Sequence, residues 1–311
     1  MKDCEKGQNC LKGDSFFNRY RIQGILTTRS PFHLGNGYVT ERKGLTAEKN
    51  GQKESVEISS IVTDHMGKPV IPGSSLKGAL RNYLLDVFSV SHQGLLARDR
   101  NFEELIRKDE NLRKQNAQTD FMKEKASVLE RLFGTPFAEG KIEVWNGECI
   151  SKSPEIHPGI RNPEKPPFWD SQRMTWVEQS VAIDPETGTA IDKKLYHFEA
   201  VPPGVSFRIN ISGQNLVHAE MGMLLFGLYA FNSQIWPLTL GAMSGRGFGR
   251  FDFQPEHVYC LPKSRVENWI QEALRADHAG YASLKPLPET ELKQYVADFK
   301  NMFLQIMGEG I

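Results

Sequence analysis

Residues 68–81 read Lys-Pro-Val-Ile-Pro-Gly-Ser-Ser-Leu-Lys-Gly-Ala-Leu-Arg, which predicts a short strand, a Pro-Gly turn and the start of a helix. Ser74 or Ser75 is placed to cap that helix, and the free backbone N–H groups at a helix start can bind an anion. Lys77 and Arg81 are four residues apart and therefore share one helical face. The segment predicts either a site for a polyanion or a capped helix with solvated cations, and alone it favours neither.

A second, glycine-rich stretch, residues 240–253, reads Leu-Gly-Ala-Met-Ser-Gly-Arg-Gly-Phe-Gly-Arg-Phe-Asp-Phe. Its glycines permit positive φ angles, and its arginines offer phosphate-binding forks on either side of an aromatic ring. A strand rather than a helix follows, which excludes the dinucleotide-binding fingerprint. The pattern predicts an RNA-binding loop or, alternatively, a glycine-rich β-turn packed beneath a helix. The RNA contacts of such a loop would be Gly245, Arg246, Gly247, Phe248 and Arg250.

These two stretches, in this order and at this distance, resemble the RAMP superfamily of CRISPR-associated proteins. The similarity is greatest to the guide-RNA-binding backbone subunits of type III CRISPR effector complexes. It is carried by the signature Ile71–Arg81, the segment Arg131–Gly134 before the strand Lys141–Trp145, the hairpin Val181–Ala190 running into Leu195–Phe207, and the glycine-rich loop. The hairpin sequence at 182–190 favours a type III backbone subunit over other members of the superfamily.

The resemblance implies an α+β fold: a ferredoxin-like (RRM-like) RAMP domain with a helical insertion, a β-hairpin thumb and C-terminal helices. The sequence agrees, because strands and helices are predicted in two successive β–α–β units. The expected organisation is an N-terminal tail at 1–19, the RAMP domain at 20–260 and a C-terminal helical extension at 261–311. Insertions are expected at about 40–55, at 95–130 and, for the thumb, at 150–195. The first of these is charged and contains glycine, so it is predicted to be mobile.

Hydrophobic periodicity predicts the individual elements. The first helix should bury a stripe formed by Leu76, Leu80, Tyr83, Leu84 and Val87. The predicted strands are Tyr20–Thr28, Val56–Thr63 and Arg250–Phe253, and the predicted helices are Ser75–Phe88, Val217–Phe231, Val266–Ala276 and Glu289–Ile306.

Subunits of the resembling group bind a guide RNA, pair it with target RNA and use the thumb to separate base pairs at intervals. The segment Gln172–Leu195 matches that thumb, and its Met174 and Trp176 are suited to wedging into a base stack. Core packing is the alternative for these two side chains. Phosphate contacts are implied for Arg173, Lys193 and Lys194. We expect Ser74, Ser75, Lys77, Arg81, Arg246 and Arg250 to converge on the backbone of the guide.

In the resembling subunits, an aspartate in a loop between the first strand and the signature helix is credited with metal-assisted cleavage of target RNA. The matching position here is Ile58, so the expected aspartate is replaced. Glu57 is the first substitute, Glu54 the second and His33 a candidate base. On a strand, Glu57 would point to the face opposite Ile58. Cleavage would require Mg²⁺ as cofactor, and the sequence does not identify its ligands.

Composition limits the partners. The 38 acidic residues balance 38 Lys and Arg, which argues against non-specific binding of bare duplex but permits a local RNA groove. Four cysteines without a CxxC pair predict a reducing, cytoplasmic location. No apolar stretch suggests a signal peptide or a membrane span. The expected partners are guide RNA, target RNA and other type III effector subunits, including neighbouring RAMP subunits, with no membrane.

Two other functions fit the same residues. One is a stand-alone RAMP endoribonuclease that processes precursor guide RNA, although such enzymes generally lack the thumb hairpin. The other is a non-catalytic scaffold subunit that holds protein neighbours. A copurifying small RNA of discrete length would separate the guide-binding function from the scaffold.

Overall fold

The computed structural model describes residues 10–49, 52–89, 95–152, 169–183, 186, 190–275 and 284–308. Side chains are described throughout these ranges except at 42–49, 52–54, 182–183, 190–195 and 307–308. The strands are β1 (Asn18–Thr28), β2 (Gly35–Lys49), β3 (Gln52–Ile61), β4 (Val70–Ile71), β5 (Gly134–Thr135), β6 (Ala138–Glu139), β7 (Ile142–Val144), β8 (Gly147–Cys149), β9 (Trp176–Ile183), β10 (Ala190–Ala200), β11 (Ser206–Gln214) and β12 (Phe251–Pro262). The α-helices are α1 (Gly73–Phe88), α2 (Phe102–Lys108), α3 (Gln115–Glu124), α4 (Val128–Phe133), α5 (His218–Tyr229), α6 (Val266–Arg275) and α7 (Glu289–Gly308).

The larger sheet has the strand order β12–β1–β11–β8–β4, with β7 also paired to β11. All of its pairings are antiparallel. Helix α1 lies between β1 and β7 along the chain, and α5 lies between β11 and β12. This arrangement of two β–α–β units around one antiparallel sheet is ferredoxin-like. The predicted α+β, ferredoxin-like fold is confirmed.

Both core helices form where the apolar pattern predicts them. The buried positions of α1 recur about every turn and are Leu76, Leu80, Leu84 and Phe88, together with Gly73 at its start. Tyr83 and Val87, which were predicted to be buried, are half-buried. Helix α5 is apolar almost all round and is buried over most of its length, as expected for a helix enclosed by the sheet and other helices.

The predicted cap of α1 is wrong. Pro72, rather than Ser74 or Ser75, is the N-cap, and no side chain caps the helix. The first helical N–H, that of Gly73, instead donates to Asn146 Oδ1 at 2.9 Å. A Cβ at Gly73 would collide with the carbonyl oxygen of Val144, so only glycine fits this start of the helix.

The insertion predicted at about 40–55 contains paired strands. Strands β2 and β3 pair as an antiparallel hairpin through this region, and β3 then pairs in parallel with β10. Because β10 also pairs with β9, the four strands form a second sheet in the order β2–β3–β10–β9. Backbone pairing does not depend on apolar side chains, so a charged, glycine-containing stretch can still form strands.

The predicted thumb is a hairpin, formed by β9 and β10, and it is one half of this second sheet. Residues 153–168, 184–185 and 187–189 of the thumb insertion lie outside the described residues. The limits predicted for the tail, the RAMP domain and the C-terminal extension stay predictions.

The insertion predicted at 95–130 is helical and is joined to the core by buried charges. Arg100 Nε lies 2.9 Å from Glu130 Oε1, and Arg131 Nε lies 3.8 Å from Glu220 Oε1. Lys141 Nζ lies 2.7 Å from the other oxygen of Glu220. Glu130, Lys141 and Glu220 are all buried, so these ions depend on one another for the solvation that water would otherwise supply.

The two ends of the described chain are packed against the domain. Helices α6 and α7 begin at the predicted residues, and α7 lies so close to α5 that a Cβ at Gly222 would collide with the backbone of Tyr295. Near the N-terminus, the side chain of Asn215 donates to the carbonyl oxygen of Leu11 at 3.1 Å. Cys10 is disulfide-bonded, which contradicts the expectation of reduced cysteines at this residue, whereas Cys149 and Cys260 are free thiols. None of the described helices combines the length and apolar character needed to cross a membrane.

Candidate nucleic-acid interface

Two glycines of the glycine-rich loop are required by the fold. Gly241 and Gly249 have φ angles of 81° and 77°, in the left-handed region that favours glycine. A Cβ on Gly241 would collide with the carbonyl oxygen of His33, and one on Gly249 would collide with that of Leu240. These close approaches hold the two ends of the loop together and fix the loop to the chain that leaves β1.

The other two glycines face open space. A Cβ at Gly245 or Gly247 would meet no atom within 4 Å. Gly247 has a φ of 84°, which is a conformational reason for glycine, but Gly245 does not have a positive φ. Neither packing nor backbone strain within the described chain therefore accounts for Gly245. A glycine of this kind is expected where another molecule approaches the backbone closely.

Arg246 presents an exposed cation beside aromatic rings. Its guanidinium donates to the hydroxyl of Tyr196 and lies 5.5 Å from the centre of that ring. The Tyr196 ring stacks on Phe198 at 6.1 Å, and Phe248 contacts Phe198 edge-on at 5.8 Å. We call Arg246, Tyr196 and Phe248 the arginine–aromatic surface. Such a combination can bind phosphate and stack on a base at the same time.

Tyr196 was missed by the sequence analysis. It follows the expected phosphate contacts Lys193 and Lys194, whose side chains lie outside the described residues. The available signal was an aromatic residue at an outward-facing position of a strand, since Tyr196 is 37% exposed whereas Phe198, two residues later, is buried.

Arg250 is held mainly through its backbone. Its N–H donates to Ser30 Oγ at 3.0 Å, and its carbonyl oxygen accepts from the N–H of Arg29 at 2.8 Å. The side-chain Nε is buried and has no hydrogen-bond partner among the described residues. A buried guanidinium nitrogen without a partner is costly, and because Nε is closed to solvent, an external phosphate could contact only the part of this half-buried side chain that reaches solvent.

The expected convergence on one RNA surface fails for Lys77. Its ammonium group donates to the carbonyl oxygen of Ile142 at 3.2 Å, and burial lowers its pKa. Ile142 pairs with Gly213, whereas Arg250 adjoins the end of β1 that pairs with Ser206. Seven residues of β11 separate these two positions, which is about 23 Å at ~3.3 Å per residue. Lys77 is therefore remote from the arginine–aromatic surface.

The rest of the signature helix presents small and polar residues. Ser74 is exposed, and Ser75, Gly78 and Arg81 are half-buried. Gly78 lies inside α1, where glycine costs about 1 kcal/mol relative to alanine, and a Cβ there would meet nothing within 4 Å. As at Gly245, packing inside the chain does not explain the glycine.

The thumb side chains predicted to wedge between bases are buried. Met174 and Trp176 are each 2% exposed, and Trp176 packs with Phe198 and Ala200. The structure therefore favours core packing, because a wedge has to project into solvent. Arg173 is not a free cation, since it lies 3.0 Å from the buried carboxylate of Glu199.

The candidate cleavage positions Ile58 and Glu57 lie on opposite faces of strand β3. Ile58 is fully buried on β3, and Glu57 points to the exposed face, as alternation requires. Glu57 lies directly opposite Glu41 of β2, which is also exposed and was missed by the sequence analysis. The side chain of Glu54 lies outside the described residues.

His33 is a poor candidate for a base in this conformation. Its ring is buried against Phe198, and its Nδ1 lies 2.6 Å from the carbonyl oxygen of Glu199. Among the described residues, no group of three or more His, Cys, Asp or Glu side chains is arranged to hold a metal ion. Two neighbouring carboxylates such as Glu41 and Glu57 nevertheless suit Mg²⁺, which keeps most of its water ligands.

The fold and this surface together define a ferredoxin-like protein whose exposed Arg246 and neighbouring aromatic rings suit single-stranded RNA. The sequence matches the RAMP superfamily over residues 25–252, which is most of the chain. The chain belongs to the RAMP superfamily, and this membership implies a CRISPR-associated, RNA-binding role. A comparison with curated proteins found no match.

Proposed function

We propose that this chain is a guide-RNA-binding backbone subunit of a type III CRISPR ribonucleoprotein, which pairs its guide with target RNA. The observation that carries the proposal is the open approach to Gly245 beside the exposed Arg246. The resemblance of the hairpin sequence at 182–190 to type III backbone subunits supports this class over other members of the superfamily.

The chemistry of the surface supports a ribose–phosphate ligand. The Arg246 guanidinium can donate two parallel hydrogen bonds to one phosphate. The absence of a Cβ at Gly245 lets that phosphate approach the loop backbone, and the partly exposed Tyr196 side chain can contact a base. With a net charge of zero over the whole chain, affinity would depend on this local surface rather than on general attraction to polyanions.

The decisive experiment is extraction and sizing of the nucleic acid that copurifies with the intact complex. We expect RNA of discrete length with the parent chain and a markedly smaller yield with Arg246→Ala. Lys293→Ala is the matched control, because it removes an exposed cation on α7, far along the chain from the loop. Absence of RNA from the parent would support the scaffold function instead. Cleavage of precursor guide RNA by the isolated chain would support the stand-alone endoribonuclease.

We further propose that the subunit cleaves target RNA with Mg²⁺, and that Glu57 contributes to binding the ion. The cross-strand carboxylates of Glu41 and Glu57 support this, because like charges directly opposite each other on a sheet are unfavourable and a divalent cation would relieve the repulsion. Bound Mg²⁺ would stabilise the charge that develops on the scissile phosphate.

A further inference from the structure

The larger sheet has one face that the core helices do not cover. Along its central strand β1, Ile22 is buried in the core, whereas Arg21 and Gln23 on either side of it are half-buried and point the opposite way. We call the face on which Arg21 and Gln23 lie the outer face. A solvated face of an antiparallel sheet is normally polar, so aromatic rings on it are informative.

Strand pairing aligns four side chains in one row across the outer face. Gln23 lies directly opposite Asn210 of β11 and His257 of β12. Trp145, which follows β7, continues the row, because its backbone N–H donates to the Asn210 carbonyl oxygen at 3.0 Å. Residues directly opposite each other share a face, and three strand spacings of ~4.8 Å place Trp145 about 14 Å from His257.

Aromatic rings stand at both ends of this row. Trp145 is 56% exposed, and His257 is also exposed. The ring of Tyr259, two residues farther along β12, lies 5.9 Å from that of His257. Unpaired bases stack on exposed rings of this kind, and the sheet of an RRM-like fold can hold two or three bases.

The centre of the row offers hydrogen-bonding groups for the edges of such bases. Asn210 Oδ1 accepts from Arg21 Nη2 at 3.2 Å and from Gln23 Nε2 at 3.0 Å. These bonds orient both amides, while Asn210 Nδ2 and Gln23 Oε1 make no hydrogen bond with any described residue. One donor and one acceptor therefore remain for a ligand, and amide groups are suited to reading base edges.

The charges of the outer face are paired, which indicates the kind of ligand it takes. Arg19 lies 3.0 Å from Glu143, and Arg208 lies 3.3 Å from Glu256. These pairs leave little positive charge to attract a phosphate backbone, and a duplex hides its bases, so the face is suited to a single strand with unstacked bases. A surface that binds protein would be more apolar at its centre, where this face has amides.

We propose that the outer face is a second binding surface for single-stranded RNA, on which bases stack at Trp145 and His257 and bond to the amides between them. The surface is separate from the arginine–aromatic surface, because Tyr196 belongs to the second sheet. It goes beyond the guide contact proposed at Arg246 and can fail independently of it.

The test is titration of the full chain carrying Arg246→Ala with a short, labelled single-stranded RNA, so that the glycine-rich loop contributes little. Adding Trp145→Ala should raise the apparent Kd roughly tenfold, as loss of one stacking ring typically does. Trp145→Phe keeps a ring and should restore most of the affinity. Trp236→Ala is the matched control, because Trp236 is exposed to a similar extent, 51%, but lies beyond α5. Both tryptophans are more than half exposed, so neither substitution should disturb the fold.

Tryptophan emission gives a second readout, because a base stacked on Trp145 should quench it. Quenching by RNA should be preserved in Trp236→Ala and reduced in Trp145→Ala. An unchanged Kd in Trp145→Ala would overturn the proposal. So would displacement of the single strand by an equal amount of duplex, since that result would indicate binding to the backbone and not to the bases. If Arg246→Ala alone leaves guide binding unchanged, the proposed function fails, whereas the Trp145 comparison still decides the outer face.

Discussion

The glycine-rich loop and the β9–β10 hairpin were both predicted from sequence to contact RNA, yet they differ in where their side chains lie. In the loop, Arg246 is exposed and no described residue fills the space at Gly245. In the hairpin, Met174 and Trp176 are buried. The two regions meet, because Trp176 and Phe198 pack with Phe248 and Met243. The comparison teaches that the buried residues at the start of the hairpin support the loop, while the loop keeps its own polar side chains exposed.

The largest expected effect is on stability, from the hairpin. Trp176→Ala should lower the free energy of unfolding by about 3–5 kcal/mol, because it removes a large buried side chain and leaves a cavity. Urea denaturation measures this directly, and Trp176→Phe serves as the control that keeps an aromatic ring. If Trp176→Ala unfolds at the same urea concentration as the parent but protects a shorter stretch of RNA, Trp176 would be a wedge between bases and not a core residue.

The second largest effect is expected at Glu57 of β3, the strand that lies beside the hairpin in the second sheet. Glu57→Gln should slow Mg²⁺-dependent cleavage of complementary RNA by the guide-loaded complex roughly 10²-fold, while target binding is unchanged. Chelation of the metal should abolish cleavage by the parent. Glu148→Gln, at another exposed strand position, is the matched control. Equal rates in parent and Glu57→Gln would assign the chemistry to another residue, and an inactive parent would make the subunit structural.

A third prediction distinguishes two glycines of the loop, one proposed to contact RNA and one required by the fold. Gly245→Ala should weaken guide binding roughly tenfold (about 1.4 kcal/mol) without changing the unfolding midpoint, because its Cβ enters space that only a ligand would occupy. Gly249→Ala should instead destabilise the fold by about 1–3 kcal/mol, owing to its positive φ and the clash with Leu240. For both variants, titration with labelled guide RNA measures the affinity, and thermal unfolding measures the stability. Unchanged RNA affinity in Gly245→Ala would remove the main support for the proposed interface.

The smallest effect is expected at Lys77. Lys77→Ala should leave the salt dependence of guide binding unchanged, because its ammonium group is bonded to Ile142 far from the loop. Arg246→Ala, measured in parallel, should reduce the slope of log K against log salt by about 0.7, the value for one phosphate contact on a single strand. A reduced slope in Lys77→Ala would mean that guide RNA extends to the other end of the sheet.

The sequence was sufficient to predict those helices and strands whose buried residues recur at the regular spacing of a helix or a strand. Helix α1, helix α5 and the first strand are where their apolar residues indicate, and the two β–α–β units led to the correct fold class. It was insufficient for β2, because pairing with β3 stabilises that strand through backbone hydrogen bonds that leave no apolar pattern. The position of Lys77 also depended on tertiary contacts, since a flexible side chain can turn toward either end of its helix.

The candidate site was predicted in part for similar reasons. Glycine and arginine in the loop carry a local signal, so Gly245 and Arg246 were identified from sequence. Tyr196 contacts Arg246 only because the tertiary fold brings residues fifty positions apart together. Met174 and Trp176 were ambiguous, because large apolar side chains are equally typical of a wedge and of a core.

The buried ions that join the helical insertion to the core also bear on how this protein could change over evolution. Glu130, at the end of the predicted insertion, is paired with Arg100 within it, and neighbouring Arg131 reaches Glu220 of α5. Deletion of the helical insertion up to residue 127 would remove Arg100 and leave Glu130 buried without its guanidinium partner, a loss that typically costs about 3–5 kcal/mol. A shortened homologue would therefore have to replace these ions together. The helical insertion is therefore tied to the domain, and its loss would require simultaneous substitutions of the buried ions that join the two.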